Sequence, residues 1–112
     1  MEAIKKPKHT IDDVYSLPEG ERAELIDGNI YMMAPPSTKH QLILNDINAA
    51  IYNYIKAHKG KCKVIPSLFA VFLETEDKTT NYVEPDISVI CDPDKINEKG
   101  CQGAPDWIIE IE

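Results

Sequence analysis

Two acidic residues lie inside segments whose other residues are typical of buried β-strands. Asp86 directly precedes the apolar run of residues 87–90, and Glu110 lies between two isoleucines. An ionised carboxylate in a largely buried strand costs on the order of several kcal/mol unless it is paired, hydrogen-bonded or bound to a metal. Because carboxylate oxygens are the ligands that hard divalent cations prefer, Mg²⁺ binding is the chemistry that would explain both residues.

The geometry of a strand limits how these two carboxylates can meet. Side chains two residues apart point to the same face, so Asp86 and Glu110 each lie on one defined face of their strand. If the strands are neighbours, both carboxylates hold one Mg²⁺, for which Mn²⁺ can substitute, and the backbone carbonyl of Ile111 adds a ligand. The ordinary alternative is that Asp86 caps a strand after Pro85 while Glu110 faces solvent on a half-exposed sheet. The alternation alone leaves both interpretations open.

The segment before residue 34 predicts a short helix followed by a hairpin. Thr10 is a good N-cap for a helix that must end before Pro18. The dipeptide Asp27-Gly28 lies between two apolar runs, which is a strong hairpin signal, so two strands are expected on either side of it.

The clearest helix of the sequence is predicted over residues 38–58 and ends before Gly60. Its apolar stripe recurs at three- and four-residue steps and consists of Leu44, Ile47, Ile51, Tyr54 and Ile55. His40 lies four residues before the first of these, on the same stripe, and is therefore expected to point at the sheet.

Three extended segments follow the long helix. They cover residues 64–73, 82–91 and 106–112, and a loop is expected at residues 97–105. A hairpin, one long helix and further strands predict a single α/β domain over residues 1–112. The same pattern also fits an α+β domain, and in either case the main helix is expected to pack on the sheet. The family resemblance described below implies a central mixed sheet that carries Asp86 and Glu110 side by side.

The composition favours a folded protein, and its net charge limits which binding partners are expected. Hydrophobic residues make up 43% and charged residues 28%, and no apolar run approaches the ~20 residues that cross a bilayer. Residues 1–10 lack the apolar stretch of a signal peptide, so we expect a cytoplasmic protein with no membrane segment. The net charge is −7, which argues against tight metal-free binding to DNA. The dense basic run of residues 56–63 is either a phosphate-contacting edge or a solvated helix end.

Cysteine usage predicts neither a disulfide framework nor a zinc site. The three cysteines, Cys62, Cys91 and Cys101, form no C-x-x-C pair, and His58 near Cys62 does not complete a tetrahedral ligand set. We therefore expect buried, reduced thiols.

Four segments in order resemble the Uma2 family of bacterial restriction endonucleases, which belongs to the PD-(D/E)XK nuclease superfamily. They are residues 24–37, 40–41, 84–90 and 103–111, and the similarity runs from about Leu17 to Glu112. Each segment is short, but their order and spacing make the resemblance fairly specific. It implies a restriction-endonuclease-like fold and a Mg²⁺-dependent DNA endonuclease that hydrolyses phosphodiester bonds.

The resemblance also implies roles for individual residues. Pro85-Asp86 would be the PD of the motif and Glu110 its second acid, both of them metal ligands, while Glu24 and His40 match accessory active-site positions. The ordinary alternative for His40 is a core-facing or helix-capping histidine. For Glu24 it is an exposed strand carboxylate.

The sequence departs from the motif at its third position, where Glu112 replaces the expected lysine. That lysine normally helps to orient the attacking water by its positive charge, which a carboxylate cannot do. In the resembling family a lysine often lies on a later helix, so we expect this chain to be a C-terminally truncated and inactive fragment. The open sheet edge that truncation would leave favours a homodimer.

Two other classes of function compete with the nuclease. A nuclease-like module that dimerises or binds nucleic acid without catalysis is favoured by the missing lysine and opposed by the intact acids. A glycosidase using Asp86 and Glu110 is a weaker hypothesis, because Trp107 is the only tryptophan available to stack on a sugar.

Overall fold

A computed structural model describes residues 8–76 and 78–112. The N-terminal part follows the sequence-based prediction. Helix α1 is short, Ile11–Tyr15, and the Thr10 backbone N–H donates to the Asp13 carboxylate at 2.9 Å. Strands β1, Arg22–Ile26, and β2, Asn29–Met33, form the predicted antiparallel hairpin. Both turn residues, Asp27 and Gly28, have positive φ, as the tight turn requires.

The main helix, α2, spans Thr38–Ala57 and begins where the side chain of Ser37 accepts a hydrogen bond from the His40 backbone N–H. Leu44 is buried on its inner face. The placement of Tyr54 on the buried stripe was wrong, because its side chain is 65% exposed and its ring stacks on His58 at 4.0 Å. Within the described part of the chain, no helix has the length and hydropathy to cross a membrane.

The two long extended segments are each divided into two strands. Residues 64–73 contribute to β3, Lys63–Pro66, and β4, Val71–Glu74. Residues 82–91 contribute to β5, Thr80–Val83, and β6, Ile87–Ile90. The second break contains Pro85, whose missing N–H cannot continue a hydrogen-bonded ladder, and the first break follows Pro66, the last residue of β3.

The C-terminal part contains more structure than the predicted loop. After a 3₁₀ turn at Pro93–Lys95, strands β7, Ile96–Asn97, and β8, Gly100–Gln102, form a short hairpin. The last predicted strand is shorter than residues 106–112, since β9 spans Trp107–Ile109.

The strands form two sheets rather than one. The larger is a mixed six-stranded sheet of order β2-β1-β5-β4-β8-β7, in which β4 and β8 are parallel. The smaller is an antiparallel sheet of order β3-β6-β9, and α2 packs against its strand β3. Buried side chains from both sheets meet in one core, which includes Val71, Ile90 and Cys101. The predicted mixed α/β fold with one main helix is confirmed. Asp86 and Glu110 do not lie inside strands as predicted, because Asp86 directly precedes β6 and Glu110 directly follows β9, both in the smaller sheet.

The expectation of three reduced cysteines was wrong for two of them. Cys62 and Cys91 form a disulfide, whereas Cys101 is a buried free thiol whose pKa is raised by burial. The cause is the register of the smaller sheet, in which Lys63 pairs with Ile90. The next position outward on each strand is a cysteine, so the two thiols face each other across a separation of 29 residues.

Candidate active site

The register of the smaller sheet places Asp86 and Glu110 side by side. Strands β6 and β9 are antiparallel, and Ile87 pairs with Ile109. The next pair outward is Asp86 with Glu110, so the two carboxylates lie on the same face at the end of adjacent strands. This arrangement could not be read from either strand alone, because it depends on which strands pair and in what register.

Asp86 is held by hydrogen bonds and is mostly buried, with 17% of its side chain exposed. Its Oδ2 atom accepts a hydrogen bond from the Ile111 backbone N–H at 2.8 Å. The same oxygen lies 3.2 Å from Nε2 of His40. Ile111 therefore orients Asp86 through its N–H, and the predicted use of its carbonyl as a metal ligand stays a prediction.

Glu110 is more exposed and lies among other carboxylates. Partial burial is the largest cause that raises its pKa above the ordinary value, and the charge of Asp86 comes next. Glu24 adds a further, smaller increase, whereas a hydrogen bond from the Asp86 backbone opposes the shift. The charged neighbours acting on Glu110 are thus negative, and a bound cation would relieve their repulsion.

His40 lies in the first turn of α2 and points at the sheet. Its backbone N–H donates a hydrogen bond to the Ser37 side chain. Its imidazole takes no part in that cap and contacts Asp86. The hydrogen bond with the side chain of Gln41 is the largest cause that raises the pKa of His40, partial burial opposes it, and Asp86 and Glu110 raise it further. The helix-capping alternative applies to the backbone of His40 and not to its imidazole.

Glu24 ties the hairpin to the segment that carries Asp86. It lies on β1, is partly buried, and its Oε2 accepts the Glu84 backbone N–H at 2.9 Å. It therefore differs from a solvated strand carboxylate, because it positions the chain two residues before Asp86 and also acts electrostatically on Glu110.

A buried ion pair next to the site was missed at the sequence level. Glu84 is only 9% exposed, and its Oε2 accepts hydrogen bonds from Nε of Arg22 and contacts Nη2, both at 3.0 Å. The Tyr82 hydroxyl donates to the other oxygen of Glu84 at 3.4 Å, and burial raises the pKa of Tyr82 to about 12. Arg22 is the only arginine of the chain, and this is the feature of the sequence that could have indicated a special role for it.

The donor set fits a hard divalent cation that keeps much of its water. Among residues 8–76 and 78–112, no three His, Cys, Asp or Glu side chains are arranged to hold a metal ion. The adjacent carboxylates of Asp86 and Glu110 nonetheless supply two oxygen donors. Mg²⁺ is commonly bound by one or two carboxylates with waters and substrate phosphates completing its octahedron. The arrangement therefore suits Mg²⁺ better than Zn²⁺, which is usually held by three or four protein side chains.

Comparison with known proteins points to nucleases. The sequence model of the Uma2 family, described as "Putative restriction endonuclease", matches residues 11–112. A crystal structure described as a putative nuclease belonging to DUF820 from Anabaena variabilis ATCC 29413 is similar, with 27% sequence identity and a TM-score of 0.63. The similarity covers 90% of this chain and 56% of that one, so this chain spans little more than half the length of that protein. No curated protein matches the chain.

Proposed function

Because the chain belongs to the Uma2 family, we propose that it carries the metal-binding part of a Mg²⁺-dependent DNA endonuclease. The observation that supports this most strongly is the pairing of Asp86 and Glu110 on adjacent strands, with His40 in contact with Asp86. Residues separated by up to 70 positions in the sequence converge on one end of the smaller sheet. All three belong to the set that the family resemblance implies.

In this proposal Asp86 and Glu110 hold Mg²⁺, with the Ile111 carbonyl as a further donor and Mn²⁺ as a substitute. A bound Mg²⁺ supplies a water of lowered pKa and neutralises charge on the phosphate that is attacked. His40 orients Asp86 and holds a proton on Nε2 beside the reacting phosphate. Glu24 fixes the segment before Asp86 through the Glu84 backbone and adds negative charge that favours the cation.

The residue at the third motif position limits what the chain does by itself. Glu112 lies two residues after Glu110, where the superfamily has a lysine. A carboxylate there cannot stabilise the negative charge that develops on the phosphate. We therefore propose that this chain binds the cation without cleaving DNA at a measurable rate.

The second candidate function is a nuclease-like module that binds nucleic acid or dimerises without catalysis. Glu112 is the observation that favours it. Strand β9 has β6 as its partner in the described sheet and is an edge strand, so pairing with a second copy through β9 stays a prediction. Light scattering after size exclusion tests it, and a monomer at high protein concentration would count against dimerisation.

The experiment that tests the catalytic proposal is nicking of supercoiled plasmid DNA with Mg²⁺ or Mn²⁺. The protein is tested as it occurs naturally, with any residues that flank residues 1–112, and is compared with its Asp86→Asn and Glu110→Gln variants and with Glu98→Gln, an exposed carboxylate away from the site. We expect metal-dependent nicking by the natural protein and Glu98→Gln, and at least a hundredfold loss in the two site variants. Equal nicking by all four proteins would show that Asp86 and Glu110 are not the catalytic acids. Absence of nicking in the natural protein would favour the non-catalytic module.

A further inference from the structure

The charges of the chain are strongly segregated along its sequence. Residues 47–73 contain four lysines and no aspartate or glutamate. The other 85 residues carry eight basic and nineteen acidic side chains. A chain with a net charge of −7 therefore contains one continuous segment with a charge of +4, and this segment runs from the second half of α2 through β3.

The four lysines are exposed, and two of them line one groove with an exposed tyrosine. We call the following five residues the lysine surface: Tyr52, Lys56, Lys59, Lys61 and Lys63. A groove of about 250 Å³ runs between the end of α2 and the start of β3, and Tyr52, Lys56 and Lys63 line it. Nζ of Lys56 lies 5.9 Å from the centre of the Tyr52 ring, so the cation and the aromatic face are presented side by side.

The lysines are available to an external anion. In the described part of the chain, none of the three ion pairs involves a residue of the lysine surface. The disulfide of Cys62 with Cys91 lies between Lys61 and Lys63 in sequence and fastens that segment to the end of β6. Two of the lysines are thus carried by a segment whose backbone is cross-linked to the sheet, which lowers the entropy lost when they bind a ligand.

The electrostatics of a helix end explain only part of this surface. A lysine in the last turn of a helix is stabilised by the partial negative charge of the last carbonyl groups. Lys56 satisfies that description, but Lys61 and Lys63 lie beyond the end of α2, and Lys63 belongs to β3. The effect of the helix dipole falls off within the last turn, so it does not account for the lysines of the strand.

The lysine surface is separated from the carboxylates by most of the length of α2. Lys56 follows His40 by 16 residues on the same helix, which corresponds to roughly 24 Å at 1.5 Å per residue. Sixteen residues also turn the helix by roughly 160°, so Lys56 and His40 project from nearly opposite sides of α2. The distance exceeds the Debye length of about 8 Å at physiological ionic strength, so the acidic site hardly weakens attraction of phosphates to the lysines.

We propose that the lysine surface binds the phosphate backbone of double-stranded DNA. The inference rests on the proposed function for the identity of the nucleic acid. Lys56, Lys59, Lys61 and Lys63 contact phosphates, while Tyr52 borders the groove and packs against the sugar-phosphate chain. The contact is independent of sequence and strongly dependent on salt, because lysine ammonium groups displace counterions and read no base edges.

The test is fluorescence anisotropy of a labelled 20-base-pair duplex with the chain, measured in EDTA over a series of KCl concentrations starting at 20 mM. Four lysine–phosphate contacts predict a slope of log binding constant against log salt of roughly −3 to −4. Lys56→Gln with Lys63→Gln should reduce the magnitude of the slope by roughly two, since each lost phosphate contact removes about 0.9. Arginine at the same two positions should retain the slope.

The matched control is Lys78→Gln with Lys99→Gln, which removes the same charge from two exposed lysines outside the surface. Its slope should stay within about half a unit of the natural value. Equal effects of the two double variants would show that only net charge matters, and would overturn the proposal. Undetectable binding by the natural chain at 20 mM KCl would overturn it as well.

Two further measurements separate this inference from other outcomes. Binding to vesicles of anionic phospholipid that depends on the same lysines, without DNA binding, would assign the surface to a membrane and contradict the proposal. Mn²⁺ binding measured by calorimetry should be unchanged in Lys56→Gln with Lys63→Gln. If the natural chain binds Mn²⁺ but its DNA binding does not depend on salt, the lysine-surface proposal is overturned and the proposed metal site is unaffected. If the natural chain does not bind Mn²⁺ but its DNA binding depends on salt as expected, the proposed metal site is overturned and the lysine surface is unaffected.

Discussion

Two carboxylates separated by a single proline lie in opposite electrostatic surroundings. Glu84 is buried and accepts two contacts from the Arg22 guanidinium, so its charge is compensated within the fold. Asp86 lies two residues later and faces Glu110 across the strand pair, with His40 as its titratable partner. The carboxylate before Pro85 is thus neutralised by an arginine, whereas the carboxylate after Pro85 lies next to a second carboxylate.

This difference separates a carboxylate that serves the fold from the carboxylates that we propose bind a cation. A buried ion pair fixes how β1 meets the segment before Pro85, because breaking it leaves an unpaired charge. A cluster of like charges does not stabilise the protein alone and is retained where a cation or proton is to be bound. Residues 84–86 thus contain one member of a structural ion pair and one member of the proposed binding site.

The largest expected effect is on the paired side. Arg22→Ala leaves Glu84 buried without its partner, so we expect the free energy of unfolding to fall by about 3 kcal/mol. Urea denaturation followed by circular dichroism measures it. Lys99→Ala, which removes an exposed lysine, is the control and should change stability by less than about 0.5 kcal/mol. A loss of similar size in both variants would mean that the Arg22–Glu84 pair contributes no more to stability than an exposed lysine does.

A smaller effect of opposite sign is expected at Glu110. Since its pKa is raised in the folded protein, the protonated form stabilises the fold. That contribution is fully present below pH 4.5, the ordinary pKa of a glutamate, and is lost as the pH rises through the raised value. Glu110→Gln imitates the protonated form, so the metal-free variant should gain stability relative to the natural protein between pH 4.5 and 7.

The check is the difference in the free energy of unfolding, from urea denaturation, between Glu110→Gln and the natural protein at a series of pH values. We expect a difference near zero at pH 4 that becomes positive toward pH 7 and stays below about 1 kcal/mol, as is usual for exposed charges. Addition of Mg²⁺ should reverse the sign, because only the natural protein binds the cation. A variant that is less stable than the natural protein at pH 7 in EDTA would contradict this interpretation of Glu110.

The smallest effect concerns the imidazole of His40. Its pKa should lie above 6.5, chiefly because of Gln41 and further because of Asp86 and Glu110. Asp86→Asn removes one of these carboxylates and should lower the pKa, and Mg²⁺ should lower it in the natural protein by adding positive charge nearby. An NMR titration of the imidazole protons, assigned with His40→Gln, measures both shifts. If the pKa of His40 responds to neither change, the imidazole does not interact with the carboxylates, contrary to this account.

The sequence allowed the local features of the fold to be predicted better than its pairings. The Asp27-Gly28 turn and the start of α2 at residue 38 depend on nearby residues, and both were predicted. The division of residues 82–91 at Pro85 was missed, because the apolar residues on both sides satisfy the same strand pattern. Neither the two-sheet arrangement nor the disulfide could be derived, since both follow from the pairing of β3 with β6.

In the candidate site, too, some residues could be identified from the sequence and others only from the fold. Asp86 and Glu110 stood out because carboxylates are unusual in apolar strands, and His40 because it lies on the inner stripe of a helix. The compensating role of Arg22 was not seen, because it depends on a contact across 62 positions. An unusual residue type is visible in a sequence, whereas the residue that neutralises it is visible only in the fold.

The central claim is that Asp86 and Glu110 together hold a divalent cation, and calorimetric titration of the chain with Mn²⁺ tests it most directly. The natural chain and Glu98→Gln should bind one Mn²⁺ with equal affinity, while Asp86→Asn and Glu110→Gln should each lose measurable binding because two carboxylates are needed. Equal binding by all four proteins, or no binding by the natural chain, would contradict the account.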